Sequence, residues 1–355
     1  MKAWILEKPG GAFTLQDVAE PVLRPGSVHV EMKATPLLSY LGRYLRGEMS
    51  YWYPDKPFTP GTNGVGVVKA VGDGVYHLAA GQRVIVNPYV AAQEPVRDPA
   101  QALIGLTGIS ADSGKMWADW TNGTLRQVAD FPASTVVPAD GLEAVDDARL
   151  ATTGKFIVPL GGLMRGRLAA GESVIVHGAT GYFGSAAVIL AVAMGAERVV
   201  AAGRNEAALA GLRDQLGTRV ATVRMTGTPD ADIEALKAAS GGGADLVFDM
   251  VGGAGSADGT LSSMRSLRRG GRLVLMGSME VPVPLDYGEI MLNNWEVLGN
   301  FMYPPAAYRT LLALIRSGQL DLGTISLRTF GMGDLDAAID AAAQMAGLDA
   351  TVVTL

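Results

Sequence analysis

Cysteine is missing from all 355 residues, and histidine occurs only three times. That excludes disulfides, thiolate nucleophiles, iron–sulfur clusters and every cysteine-ligated zinc site. Long apolar runs are missing too. The longest, Ala186 to Ala196, has 11 residues with one glycine inside it, well short of the roughly 20 that cross a bilayer. No basic block stands out, and 29 Lys and Arg face 35 Asp and Glu for a net charge of −6. Nucleic acid and anionic membranes are therefore poor partners. The first residues, MKAWILEKPGG, hold no apolar core of signal-peptide length. A soluble, cytoplasmic protein is the expectation. Glycine is plentiful instead, 46 of 355 residues, which calls for many tight turns and close backbone approaches. With 48% hydrophobic and 18% charged residues, the chain has enough apolar surface for two cored domains.

Two patterns divide the sequence. Up to about residue 148, short β-type runs such as Val28–Met32, Val65–Val68 and Arg83–Val86 alternate with Pro-Gly and Gly-Asp-Gly turns. This spacing predicts an antiparallel, barrel-like domain. Residues 88–123 read as a long irregular stretch, a candidate active-site or interface loop. From about residue 171, nearly pure apolar strands alternate with helices. Ser173–Val176, Arg198–Ala202, Asp245–Asp249 and Arg272–Met276 are the strands, and they predict a parallel sheet covered on both faces. The tail from Tyr303 predicts two helices and a terminal strand, Ala350–Leu355, that returns to the first domain.

The sharpest local signal is Val176-His177-Gly178-Ala179-Thr180-Gly181-Tyr182-Phe183-Gly184, placed between a buried strand and an apolar helix. Its Ala-x-Gly-x-x-Gly spacing is a variant of the dinucleotide fingerprint. Backbone amides and the helix N-terminus there favour a pyrophosphate, and Gly184 lets the helix lie close to the sheet. At the end of the next strand stand Gly203-Arg204-Asn205. A site selective for NAD places a carboxylate there. Arg204 instead offers a fork for a 2′-phosphate, so NADPH is predicted over NADH.

Together with Pro25-Gly26-Ser27-Val28-His29-Val30, Pro60-Gly61-Thr62-Asn63-Gly64-Val65-Gly66-Val67-Val68 and Gly81-Gln82-Arg83-Val84, this turn resembles the medium-chain dehydrogenase/reductase superfamily over essentially the whole chain. The resemblance implies an α/β architecture: a GroES-like β-rich catalytic domain (residues 1–149), a Rossmann NADP(H)-binding domain with a doubly wound parallel sheet (150–302), and a segment (303–355) returning to the catalytic domain. It also implies an active site in the cleft between the domains and a homodimer that pairs the last Rossmann strand, about Glu296 to Phe301. Zinc-dependent members carry Cys-His-x-Asp, then Gly-His-Glu, then a further Cys. Counting back from Gly47, Leu38, Ser39 and Leu41 occupy the first set, Gly61-Thr62-Asn63 the second, and Gly154 the last. Three converging ligands cannot be assembled from these residues, and no metal is expected.

Without a cation to polarise an oxygen, acceptors that delocalise charge are the easier targets. The chain therefore looks like the zinc-free quinone oxidoreductase and enone reductase branch, reducing a small-molecule quinone or α,β-unsaturated carbonyl. The alternatives are a metal-independent alcohol dehydrogenase or ketoreductase, and a non-catalytic NADPH-binding protein. Ser39 and Tyr40 are candidate hydroxyls for the substrate oxygen, Tyr40 being either a proton donor or a core tyrosine. Asn63 sits where the superfamily keeps a polar or acidic group near the nicotinamide. Tyr51, Trp52 and Tyr53 either line a substrate pocket or anchor a turn. The resemblance assigns cofactor contacts to Thr153 and Lys155, to Ala179 through Gly184, and to Gly203, Arg204 and Asn205. Further contacts are assigned to Met250 and Val251, to Gly277, Ser278 and Met279, and to Asn300 and Phe301. His177 and Asp249 read as structural. The assignment of Arg204 makes a direct prediction. Arg204→Glu loses far more affinity for NADPH than for NADH in a binding titration, and an equal loss for both refutes it.

Overall fold

The computed structural model describes residues 1–110 and 112–355. The chain forms two compact units. Unit 1 holds Met1–Gly154, Ile325–Met345 and Asp349–Leu355, and unit 2 holds Lys155–Thr324 and Ala346–Leu348.

Unit 1 is built on antiparallel pairs. β1 (Lys2–Leu6) pairs with β2 (Phe13–Asp17), and β3 (Ser27–Pro36) pairs with β4 (Gly64–Val71), with α1 (Leu41–Leu45) between the latter two. β4 continues to β5 (Arg83–Val86). Residues 88–123, expected to be irregular, instead carry a small sheet of β6 (Tyr89–Ala91), β7 (Gln101–Leu103) and β8 (Thr107–Gly108), followed by α2 (Ser113–Asp119). Residue 111 lies outside the described residues. Strands of two or three residues are too short to show alternation, which is why the sequence pattern hides them. β9 (Val128–Pro132) pairs with β3, and β10 (Val136–Pro138) pairs with β5. Val28, Val30, Met32, Val84, Val86, Ile104, Ala129 and Phe131 form the core of this unit. α3 (Asp147–Ala151) is capped by Asp146, which accepts from Arg149 N.

α4 (Thr153–Arg165) leads into unit 2. There β11 (Ser173–His177), α5 (Tyr182–Ala193), β12 (Arg198–Gly203), α6 (Glu206–Leu216), β13 (Val220–Arg224), α7 (Pro229–Ser240), β14 (Ala244–Asp249), α8 (Asp258–Arg265), β15 (Leu267–Leu275), α9 (Tyr287–Asn293) and β16 (Glu296–Gly299) alternate. The strands make one parallel sheet in the order β13-β12-β11-β14-β15-β16. Val174, Ile175, Val176, Val199, Val200, Val247 and Phe248 are fully buried, and burying each such side chain stabilises by about 1.5–3 kcal/mol. α5 is apolar almost all round and buried from Gly184 to Ala191, as a helix against a two-sided sheet must be.

The return to unit 1 starts at Ile325, not at residue 303. Tyr303 packs on Gly161 of α4 and stands edge-on to Tyr308 of α10 (Ala307–Arg316), with ring centroids 5.9 Å apart. These contacts tie the first part of the tail to unit 2. β17 (Ser326–Gly331), α11 (Leu335–Ala343) and β18 (Asp349–Thr354) follow. β18 lies between β3 and β17 in the unit 1 sheet. β16 ends at Gly299, before the expected Phe301. Asn300 turns its side chain back to donate to Met302 O at 2.9 Å, and Met302 takes φ +58°.

Candidate functional site

In unit 2 the strand order reverses between β11 and β14. Their connections leave in opposite directions, which opens a crevice at the carboxyl ends of the strands, where ligands of open α/β sheets bind. A cavity of about 750 Å³ lies there. Its wall comes from four consecutive strand ends: His177, Gly178, Thr180 and Gly181 after β11, Gly203 and Arg204 after β12, Met225 to Gly227 after β13, and Met250 to Ser256 after β14.

The turn after β11 has the geometry of a phosphate cradle. Gly178 takes φ +82°, open to glycine without cost. The Gly178 and Ala179 amides both donate to Ala202 O at 3.0 Å, and Gly181 N donates to Gly178 O, so the turn is internally braced. α5 starts at Tyr182, and its first-turn amides have no acceptor within the helix. They stand at the positive end of the helix dipole. A Cβ on Gly184 would collide with the Gly178 carbonyl oxygen, so only glycine lets α5 approach the turn this closely. These residues fit a dinucleotide pyrophosphate.

At the next strand end, Arg204 is exposed on the cavity wall and makes no ion pair among the described residues. Register sets Arg224 beside Gly203. The nearest acid, Glu206, accepts from Arg224 at 3.2 Å on the exposed surface, a pairing worth little energy. Arg204 is therefore the guanidinium that this strand end brings to the cavity wall.

Several expected contacts have other duties. Ala179 is buried beneath the turn, against Gly184. Asn205 caps α6, accepting from Ala208 N at 3.1 Å. The Thr153 hydroxyl donates to Leu150 O at 2.8 Å. Lys155 is fully buried. Its Nζ donates to Gly347 O at 2.6 Å and sits 3.8 Å from the centroid of the Tyr182 ring, while Ser185 Oγ donates to the same carbonyl. Burial pushes the Tyr182 hydroxyl pKa up, and Phe183 stands edge-on to Tyr182. Gly277 and Met279 line a separate cavity of about 190 Å³ with Asp249 and Thr260. Ser278 O accepts from Gly253 N. Asn300 is spent on Met302 O, and Phe301 is 60% exposed.

In unit 1, Ser39 and Tyr40 form the turn before α1. Tyr40 meets Tyr51 edge-on at 6.2 Å, and Tyr53 stacks on Tyr44 at 4.7 Å with its hydroxyl on Tyr44 O. Sequence reasoning passes over Tyr44. It centres this cluster, fully buried, with its hydroxyl on Leu106 O, and its four-residue spacing from Tyr40 is the available signal. Trp52 packs over Gly108. Asn63 is buried against Gly154, where a Cβ would come within 2.9 Å of its Cγ.

Of the positions that the resemblance gives to zinc ligands, three meet, and they bring no metal-binding chemistry. Leu38, Leu41 and Thr62 line one void of about 10 Å³ together with Leu37 and Leu106. Among the described residues, no three His, Asp or Glu side chains gather where they could hold an ion. The donor set does not fit the metal.

Sequence reasoning also misses Met225, Thr226, Gly227 and Asp232. Asp232 is buried at the start of α7 and accepts from Thr226 N, Thr226 Oγ1 and Gly227 N at 2.8 to 3.0 Å, so it shapes the third wall of the cavity. Asp232→Ala leaves two amides without their acceptor. It should cost about 1–3 kcal/mol in urea unfolding and weaken dinucleotide binding. Unchanged values on both counts contradict this role.

A family model described as zinc-binding dehydrogenase matches residues 183–317, and one described as alcohol dehydrogenase GroES-like domain matches residues 24–141. A candidate D-xylulose reductase of Rhizobium meliloti (strain 1021) is 28% identical over 357 residues, covering 99% of this chain and 98% of its own. The crystal structure of 2R,3R-butanediol dehydrogenase from Bacillus subtilis is similar with a TM-score of 0.83 at 20% identity, covering 100% of this chain and 99% of that one. A candidate zinc-binding dehydrogenase from Sinorhizobium meliloti 1021, bound to NADP, is similar with a TM-score of 0.76 at 23% identity, covering 100% and 99%. With both parts of a GroES-like plus Rossmann chain matched in order, this protein belongs to the medium-chain dehydrogenase/reductase superfamily, as a zinc-type alcohol dehydrogenase-like member.

Proposed function

We propose that the protein is an NAD(P)-dependent oxidoreductase that interconverts a small carbonyl compound and its alcohol, prefers NADPH, and works without zinc. One observation carries the metal-free part of the reading: Leu38, Leu41 and Thr62 enclose an apolar void where a polarising cation would need donors. The likeness to a D-xylulose reductase and a butanediol dehydrogenase supports a carbonyl–alcohol couple. The NADP-bound relative supports the nucleotide.

When bound, the reduced pyridine ring supplies the hydride. The chain's own residues do the rest. Thr180, Gly181 and the first amides of α5 hold the pyrophosphate. Arg204 holds the 2′-phosphate by charge-assisted hydrogen bonds. Proton donation to the substrate oxygen falls to a hydroxyl, and Tyr40 is the choice, with Ser39 and Asn63 as orienting groups. Tyr51, Trp52 and Tyr53 supply apolar surface for the substrate.

A second reading follows from the same apolar void. A quinone or α,β-unsaturated carbonyl spreads incoming charge by conjugation and has less need of a cation. NADPH oxidation in the presence of a chelator separates the readings. Turnover of simple ketones and aldehydes, lost in Tyr40→Phe by about 10²-fold or more, supports the first. Turnover of quinones and enals alone supports the second. Loss of activity on chelation defeats the metal-free claim, and nucleotide binding with no turnover of any carbonyl favours a non-catalytic role.

We also propose a homodimer through β16. This edge strand has no partner on its outer side among the described residues, and neighbouring α9 exposes Tyr287 (81%) and Leu292 (69%), an open apolar face of the kind that marks an interface. Sedimentation equilibrium should give a dimer that Leu292→Glu weakens. A wild-type monomer at micromolar concentration rejects it.

A further inference from the structure

The proposed reaction leaves one buried histidine–carboxylate pair unused. His177 ends β11 and Asp249 ends β14, side by side in register. They are only 7% and 1% exposed. His177 Nδ1 stands 3.5 Å from Asp249 Oδ1, an ion-pair distance, yet Nδ1 makes no hydrogen bond. The other edge of the ring lies on Gly259, where a Cβ would come within 2.8 Å of Nε2. The ring itself is part of the wall of the nucleotide cavity.

Asp249 is well supplied. It accepts from the Thr260 hydroxyl and from Val251 N. Burial pushes its carboxyl pKa up, but the imidazole, the hydroxyl and the amide outweigh that and hold it below the ordinary carboxylate value. It is therefore anionic across the neutral range. The cavity wall carries Arg204 from the turn after β12, Asp232 from α7 and Asp258 from α8. Ala202, its neighbour on β12, is apolar. Two carboxylates thus outnumber one fixed cation in a site that must accept a doubly charged pyrophosphate. Histidine is the side chain that gains a positive charge between pH 5 and 8.

We propose that His177 is an anion-binding residue of the dinucleotide site, its imidazolium held against Asp249 and supplying the positive charge at the start of the phosphate turn. Dinucleotide affinity then rises as pH falls through the titration of that ring. This inference rests on the pyridine-dinucleotide reading above.

The test is a calorimetric binding titration of NAD⁺ and NADP⁺ between about pH 5.5 and 8.5. Both nucleotides are needed because a 2′-phosphate itself titrates near pH 6, whereas the pyrophosphate is common to both. Affinity for both should increase about tenfold toward acid, the factor by which bound nucleotide must then strengthen proton binding to the ring. His177→Gln flattens the profile, and Asp249→Asn moves its inflection to lower pH. Proton NMR of the wild-type protein, with only three histidines to assign, provides a check that needs no variant. By the same reciprocity, the His177 midpoint lies higher with nucleotide bound than without. A flat wild-type profile, a slope surviving in His177→Gln, or a His177 midpoint unmoved by nucleotide overturns the proposal while leaving the cofactor assignment intact. No binding of either nucleotide at any pH overturns both.

Discussion

β11 and β14 run side by side, but their crossovers leave to opposite sides of the sheet. No helix can then cover the carboxyl ends of these two strands, and the gap must be lined by turns. The cavity, the glycine turn and the His177–Asp249 pair all sit at this reversal. The sheet can be this dry because its central strands are nearly pure Val, Ile and Ala. A polar side chain appears on them only at the ends, where the strand leaves the core. This is why His177 and Asp249 are both strand-terminal and both buried. Glycine at 178, 184 and 277 serves the same constraint: a Cβ at 184 or 277 would stand 2.0 Å from a backbone carbonyl oxygen, and Gly178 takes φ +82°.

In unit 1, the positions that the resemblance gives to metal ligands carry Leu38, Ser39, Leu41, Thr62, Asn63 and Gly154, with no cysteine, histidine or carboxylate among them. Leu38 and Leu41 meet near Thr62, and Asn63 lies on Gly154. Leucine side chains there gain from being out of water, and a cation placed among them would have no donor to replace its hydration shell. What unit 1 holds nearby is a cluster of tyrosines, joined by ring packing and by hydroxyls donating to carbonyls of the same unit.

The legible parts of the sequence are those with long, consistent signals. Apolar strand runs alternating with helices give the parallel sheet, and the glycine spacing after Val176 gives the phosphate turn. The small sheet within residues 88–123 is hidden because two- and three-residue strands carry no period. Asn205 reads as a cofactor ligand because it follows Arg204 at a strand end, yet asparagine before a helix serves its first amides equally well. Asp232 is invisible because a carboxylate in the first turn of a helix looks like an ordinary dipole partner. Only the fold shows that its acceptors face back to the loop after β13. The return point at Ile325, not 303, depends on Tyr303 packing against Gly161, a long-range contact that no local pattern encodes.

The placement of β18 has a consequence for how the chain is made. β3 pairs with it across Pro36 and Val352, so all of unit 2 is synthesised between the two partners. Only the Ala34–Pro36 end of one β3 edge stays open during that interval, because β9 covers Ser27–Glu31 of the same edge, while unit 2 has every residue it needs before β18 emerges. The unit that leaves the ribosome first is therefore the one completed last. An exposed strand edge waiting for its partner invites mispairing, and in this topology the exposure lasts for the whole translation of the nucleotide-binding unit.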